Sequence, residues 1–159
     1  MLRDPSLIPL SRQHQHALAL CVQIQRALRA GSVDLSSWQS EIQRHFSDEV
    51  RFHFAAEEQV LFPAARRFPE LAALADELTS DHARLRIYFA NSEQGGMDHQ
   101  ELEAFATALS THIRKEERQL FEGLQQRLQP EELTSLGTEL QLALEDAVQA
   151  CRLKPGASS

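Results

Sequence analysis

The sequence HFAAEEQVLF at residues 53–62 recurs as HIRKEERQLF at residues 112–121, and five of the ten positions are identical without a gap. On an α-helix, residues four apart lie on one face, one turn above each other. In both copies this spacing places an imidazole beside a carboxylate: His53 with Glu57, and His112 with Glu116. A single His-x-x-x-Glu is common on solvated helix faces, but two copies in one frame favour a shared role. Two such helices facing each other would form a cage for a metal ion.

Apolar residues that recur at intervals of three and four predict five helices. The first opens at Pro9 or Ser11 and the fourth follows Asp98. The expected ranges are about 9–30, 37–67, 69–93, 99–128 and 130–152. No alternating apolar run or hairpin turn predicts a strand. The expected fold is all-α, an antiparallel up-down-up-down four-helix bundle with an additional C-terminal helix.

Helix-ending and helix-starting residues support these ranges. Gly31 is placed to end the first helix, and Ser36 with Gln39 resembles a capping box for the second. Pro63 predicts a kink in the second helix, or an early end near Phe62, because proline has no N–H to donate. We divide the chain into an N-terminal arm (1–8), a helical bundle (9–152) and a disordered tail (153–159).

Composition limits the possible functions. A chain of 159 residues suits one domain, and its formal charge of −7 argues against binding to nucleic acid or to an anionic membrane. The two cysteines, Cys21 and Cys151, are far apart, which suits a reducing compartment without a disulfide framework. The N-terminus lacks the apolar run of a signal peptide, and no stretch is long enough to span a membrane. We therefore expect a cytoplasmic protein.

Two further histidines lie on apolar helix faces. His14 fills a gap in the apolar stripe of the first helix, and His82 follows Leu78 by one turn in the third. His16 lies about 200° around the first helix from His14, so it is expected to face solvent or a neighbouring helix. Burying Glu57 without a partner would cost several kcal/mol, so a metal or a cation must meet it. The stripe that carries it contains no lysine or arginine.

These motifs together resemble the hemerythrin-like, HHE cation-binding family. The match covers roughly residues 8 to 128: a lone early histidine, the His-x-x-x-Glu-Glu-x-x-Leu-Phe-Pro run at 53–63, an isolated third-helix histidine, and a final His-x-x-x-Glu. The resemblance implies a non-haem di-iron centre inside a four-helix bundle. Its ligands would be His14, His53, His82 and His112, with Glu57 and Glu116 bridging the two metals. Manganese or zinc would also suit imidazole and carboxylate ligands.

One departure from the family bears on function. Oxygen-carrying hemerythrins have a fifth histidine one turn before the third-helix one, and here that position is Leu78. Six ligand residues cannot fill the roughly twelve positions of two octahedral metals, so coordination positions stay open for small molecules. The resemblance therefore implies a protein that binds or reacts with dioxygen, peroxide or nitric oxide.

Two alternatives stay open: an iron sensor or store whose metal occupancy a partner protein reads, and a bundle whose histidines and glutamates bond to one another without metal.

Several polar neighbours have weaker cases. Glu49, one turn before His53, could be an extra ligand or accept from a ring N–H, although a surface carboxylate is the favoured role. Glu58 and Glu117 directly follow the proposed bridging residues and should point about 100° away from the metals. We expect them to be solvated or paired with Arg66, Arg114 or Arg118. His45 lies too far along the second helix, and His99 is expected at the surface.

Overall fold

A computed structural model describes residues 1–153 and contains five long helices and no strand within them. The helices are α1 (Ile8–Ala30), α2 (35–66), α3 (Pro69–Glu93), α4 (99–127) and α5 (Pro130–Arg152). The prediction of an all-α protein is confirmed. The predicted tail lies, beyond Leu153, outside the described residues.

Helices α2 and α4 are continuous but not uniform. Helix α2 comprises Leu35–His45, Phe46–Val50, Arg51–Ala56, Glu57–Leu61 and Phe62–Arg66, and its second and fourth segments are π-helical. Helix α4 comprises His99–Lys115, the π-helical Glu116–Phe121, and Glu122–Arg127. A π-helical turn holds one more residue than an α-helical turn, so each one shifts the side chains that follow it around the helix axis.

The helix ends agree with most of the sequence signals. Gly31 ends α1 with a φ of 67°, and Asp98 caps α4 by accepting from the Glu101 N–H. The capping box predicted at Ser36 is wrong, because Asp34 caps α2 by accepting from the Ser37 N–H. The Gln39 side chain instead accepts from the Met97 N–H in the α3–α4 connection.

The early end predicted for the second helix at Phe62 is also wrong. Pro63 lies in the first turn of the segment Phe62–Arg66, a helix position that tolerates proline. The π-helical turn that precedes it carries the helix through, and α2 ends at Arg66.

The core is divided into two apolar clusters with a polar layer between them. Along α1, Leu10 belongs to the first cluster and Ala17 to the second, and the buried His14 lies between them. Along α3, His82 lies in the same way between Leu78 and Leu85. The apolar clusters fix the helices on both sides of this layer, so they also fix the positions of its polar side chains.

Helix α5 adds to the first apolar cluster. Its leucines 133, 136 and 140 are buried there together with Leu7 of the N-terminal segment. Gly137 of α5 lies so close to Ser6 that a Cβ added to it would come within 2.9 Å of the Ser6 Cα. The N-terminal segment is therefore packed directly on α5. Among the helices of residues 1–153, none combines the length and apolar character that crossing a bilayer requires.

Candidate metal centre

The six residues proposed as ligands all lie in the polar layer and are all buried. They form two groups, and within each group one ligand atom from every residue lies within 4.8 Å of the others. Both groups contain Glu57 and Glu116, which are 0% exposed. One group adds His14 and His53, and the other adds His82 and His112. The carboxylates are thus shared between two pairs of imidazoles.

The donor atoms of this cluster fit a metal ion. Six buried atoms have no hydrogen-bond partner within residues 1–153: both carboxylate oxygens of Glu57, both of Glu116, and the Nε2 atoms of His82 and His112. Some of them approach imidazoles, such as the Glu57 Oε1 at 2.8 Å from the His53 Nε2, but without hydrogen-bond geometry. Buried polar atoms are normally satisfied, and nitrogen and oxygen atoms converging on one space suit a cation.

The two remaining imidazoles lead to the same conclusion. The Nδ1 atoms of His14 and His53 each face an acceptor, at 2.7 Å from a Glu117 oxygen and 2.7 Å from the Gln13 amide oxygen. Each Nδ1 therefore carries the proton, and in a neutral ring the Nε2 presents a lone pair. The two Nε2 atoms lie 2.9 Å apart. Two lone pairs at this distance repel unless a proton or a metal ion lies between them.

Each of the four histidines in the cluster has one polar partner at its Nδ1 atom. The pairs are His14 with Glu117 at 2.7 Å, His53 with Gln13 at 2.7 Å, His82 with Glu58 at 2.8 Å, and His112 with Asp81 at a longer 3.5 Å. In metal sites, such partners fix the ring orientation of a histidine and direct its other nitrogen toward the ion. In all four pairs, the partner is the sequence neighbour of one proposed ligand and contacts a histidine on a different helix.

The arginine partners predicted for Glu58 and Glu117 are therefore wrong. Both carboxylates accept from ligand histidines and pair with Arg86 and Arg3 respectively, not with the arginines named from the sequence. The signal was present, since the Glu-Glu doublet occurs in both repeats. The roles of Gln13 and Asp81, which directly precede His14 and His82, were missed altogether.

The electrostatics of the cluster favour charged groups. Burial opposes a charge on His14, but the nearby carboxylates of Glu116, Glu117 and Glu57 outweigh burial and hold its pKa well above the ordinary value. Burial also opposes the charge on His82, yet neighbouring carboxylates raise its pKa to about 9. Burial opposes the charge on Glu57 as well, and the surrounding imidazoles still hold its pKa well below the ordinary value. Metal ligands must be deprotonated, so binding of a metal ion here would release protons from histidines whose pKa is raised.

Two of the π-helical turns begin at the shared carboxylates. One starts at Glu57 and the other at Glu116, and both start four residues after a ligand histidine. π-Helical turns are rare and concentrate at functional sites. The two turns therefore occupy equivalent positions in α2 and α4, in line with the repeated sequence motif.

A small cavity lies beside the cluster. Its volume is about 20 Å³, and its walls include His14, His53 and His112. The rest of the lining is mostly apolar, from Ala17, Val50, Phe54, Leu109 and Ile113. A cavity of this size holds about one water-sized molecule.

The other histidines lie apart from the cluster. His16 is exposed and lies 3.1 Å from a carboxylate oxygen of Glu49, so the preference for His14 as the inward residue of α1 is confirmed. Glu49 pairs with His16 and belongs to neither ligand group. His99 is exposed at the start of α4, and His45 lies near Glu41.

The fold and the cluster define an all-helical protein with a buried group of histidines and glutamates that could hold metal ions. The family described as "Hemerythrin HHE cation binding domain" has a sequence model that matches residues 9–124. The chain belongs to this hemerythrin HHE family. No curated protein and no solved structure gave a significant match. The match ends before helix α5 and begins after the N-terminal segment.

Proposed function

We propose that this protein holds two iron ions in one bridged centre and uses them to bind or reduce a small oxidant such as dioxygen, peroxide or nitric oxide. His14 and His53 would hold one ion, and His82 and His112 the other. Glu57 and Glu116 would bridge them. The observation that carries the proposal is the pair of ligand groups that share both buried carboxylates.

The proposal includes the up-down-up-down order of α1 to α4. The connections between these helices cover only residues 31–34, 67–68 and 94–98. Connections this short favour antiparallel neighbours, because a parallel return must span the length of a helix. This order would bring all six ligands to one level of the bundle.

Room for an oxidant is supported by two features. Leu78 occupies the position at which oxygen carriers have an extra histidine, and a leucine there cannot bind a metal. Its side chain is fully buried in the first apolar cluster. The cavity beside His14 and His53 would admit one small molecule, and its apolar lining disfavours larger polar substrates. When bound, the iron pair would supply the electrons that reduce the oxidant. The chain would supply the buried, water-poor setting and the histidine partners that fix ligand geometry.

The test is elemental analysis of the purified protein, followed by anaerobic loading with ferrous iron and exposure to air, peroxide or nitric oxide. We expect about two irons per chain and an absorption change that grows as the ferrous ions are oxidised and stays when the oxidant is removed. A persistent and reversible oxygenated spectrum would instead indicate oxygen carriage. Metal-dependent stability without turnover would support an iron sensor or store. A protein that binds no iron, manganese or zinc would overturn the proposal.

A further inference from the structure

The N-terminal segment reaches the metal centre through one arginine. The Arg3 guanidinium donates to the Glu117 carboxylate at 2.7 Å and to the Glu117 backbone carbonyl at 2.9 Å. Its other terminal nitrogen donates to the Gln125 side chain at 2.9 Å. Arg3 therefore fixes both the side chain and the main chain of Glu117, within the π-helical turn that begins at Glu116.

His14 is held on its edge and on its face, and Arg3 contacts both supports. Glu117 accepts from the His14 Nδ1 at 2.7 Å, and the Phe121 ring stacks on the imidazole with 5.5 Å between centroids and 17° between planes. The Arg3 guanidinium lies 5.0 Å from the centre of the Phe121 ring, as in a cation–π contact.

The other half of the centre is built in the same way. Arg86 donates to both oxygens of Glu58, at 2.7 and 3.2 Å, and its guanidinium lies 5.5 Å from the Phe54 ring. Glu58 accepts from the His82 Nδ1 at 2.8 Å, and Phe54 stacks on the His82 ring with 3.8 Å between centroids. Each half thus has an arginine that contacts one carboxylate and one phenylalanine around a histidine.

The two arginines differ in what carries them. Arg86 lies within helix α3, whereas Arg3 precedes the first helix, in a segment with little regular structure of its own. Residues 1–7 are held by contacts with Gln125 and by packing on α5 at Gly137. These parts of the chain also lie outside the region 9–124 that the family shares. The arginine on the His82 side is therefore held by helix α3, and the arginine on the His14 side is held by the N-terminal arm, residues 1–7.

We propose that Arg3 is a positioning residue for His14, and that the N-terminal arm thereby controls exchange of the ion held by His14 and His53. The inference rests on the proposed metal-binding function. Because an arm of seven residues opens more easily than a long helix, the ion on this half should leave first. The ion held by His82 and His112 should stay bound while the arm opens.

The test measures metal release from the loaded, full-length protein into an excess of a chromogenic chelator. We expect two phases in the wild type. Arg3→Gln should speed the faster phase by about 10-fold, the lower end of the range for loss of a ligand's own partner, because Arg3 acts on His14 through Glu117. Arg86→Gln should speed only the slower phase, and the double variant should speed both. Arg118→Gln removes an exposed charge next to Glu117 and should change neither.

Two further variants separate positioning from general stability. Arg3→Lys keeps the charge but cannot reach two acceptors and a ring at once, so it should restore only part of the wild-type rate. Gln125→Ala loosens the arm without touching the centre and should speed the same phase as Arg3→Gln. If Arg3→Gln speeds both phases equally, or neither, the inference about the arm is wrong. Two bound ions in the wild type would still support the proposed function in that case. A wild type that binds no metal would overturn both.

Discussion

Removing the metal should strongly destabilise the protein, and the structure sets the scale of the loss. Six buried atoms of the cluster lack a hydrogen-bond partner within residues 1–153. At roughly 1–3 kcal/mol each, leaving them unsatisfied would cost on the order of 6–18 kcal/mol. A domain has only about 5–15 kcal/mol of total stability. The metal-free protein therefore cannot keep this arrangement intact, and it must take up protons on His14 and His82 or loosen.

The expected change in Tm follows from binding linkage. At a free metal concentration about one hundred times Kd, each ion adds about 2.7 kcal/mol, so two ions add about 5 kcal/mol. For a protein of this size, 1 kcal/mol shifts Tm by about 2–4 °C, so chelation should lower Tm by about 10–20 °C. Scanning calorimetry of the loaded protein with and without chelator measures this difference directly.

Matched variants identify the source of the effect. His53→Ala or Glu57→Ala should lower the bound metal sharply and abolish most of the chelator-dependent difference in Tm. His16→Ala and His99→Ala alter exposed residues and should leave both quantities unchanged. If the wild type binds two ions yet its Tm does not respond to chelator, the reasoning from unsatisfied buried atoms is refuted. If His16→Ala empties the site while His14→Ala does not, the assignment of the α1 ligand is wrong.

Three further outcomes are expected. Gly137→Ala should lower the free energy of unfolding by about 1 kcal/mol, because overpacking costs about 1–3 kcal/mol and the better helix propensity of alanine returns about 1. The added Cβ would lie 2.7 Å from the Ser6 Cβ. A variant that is more stable than the wild type in urea would contradict this contact. Gly123→Ala, whose Cβ would meet only the end of a leucine side chain, should change stability by less than about 1 kcal/mol in the same assay. Burial raises the pKa of Cys21 to about 12, so in a Cys151→Ser background the native protein at pH 8.5 should react with a thiol reagent far more slowly than the unfolded protein. Fast labelling of the native protein would contradict the burial of Cys21. The neutral thiol contributes stability below its unfolded pKa, and this contribution is lost as pH rises toward 12.

The sequence predicted the helices best where proline and glycine mark their ends. Helix α3 runs from Pro69 to Glu93 as expected, because a proline opens it and the Gly95 turn follows it. The apolar stripe also ranked His14 above His16 as the inward residue, and the observed burial agrees. These features depend on local periodicity, which a single sequence contains in full.

The parts that escaped prediction depend on contacts between distant segments or on irregular turns. Glu58 and Glu117 lie outside both groups of proposed ligands, as the 100° step of a regular α-helix predicted, but the π-helical turns that begin one residue before them were not predicted. Arg3 lies 114 residues from Glu117 in sequence, and no periodic pattern links an arm to a helix so far along the chain. The Asp34 cap was missed because Ser36 offered an equally familiar signal two residues later.

The π-helical turns in α2 and α4 have a consequence for how this chain is compared with its relatives. A π-helical turn is equivalent to one residue inserted into an α-helix, with its extra backbone absorbed in a single wide turn. A relative that lacks the turn after Glu57 would need a gap of one residue there, although both helices would start and finish together in space. A deletion of one residue within residues 59–61 could be absorbed in that turn, whereas the same deletion between His53 and Glu57 would separate two proposed ligands. A difference of one residue between this chain and a relative can therefore lie inside a helix as well as in a loop.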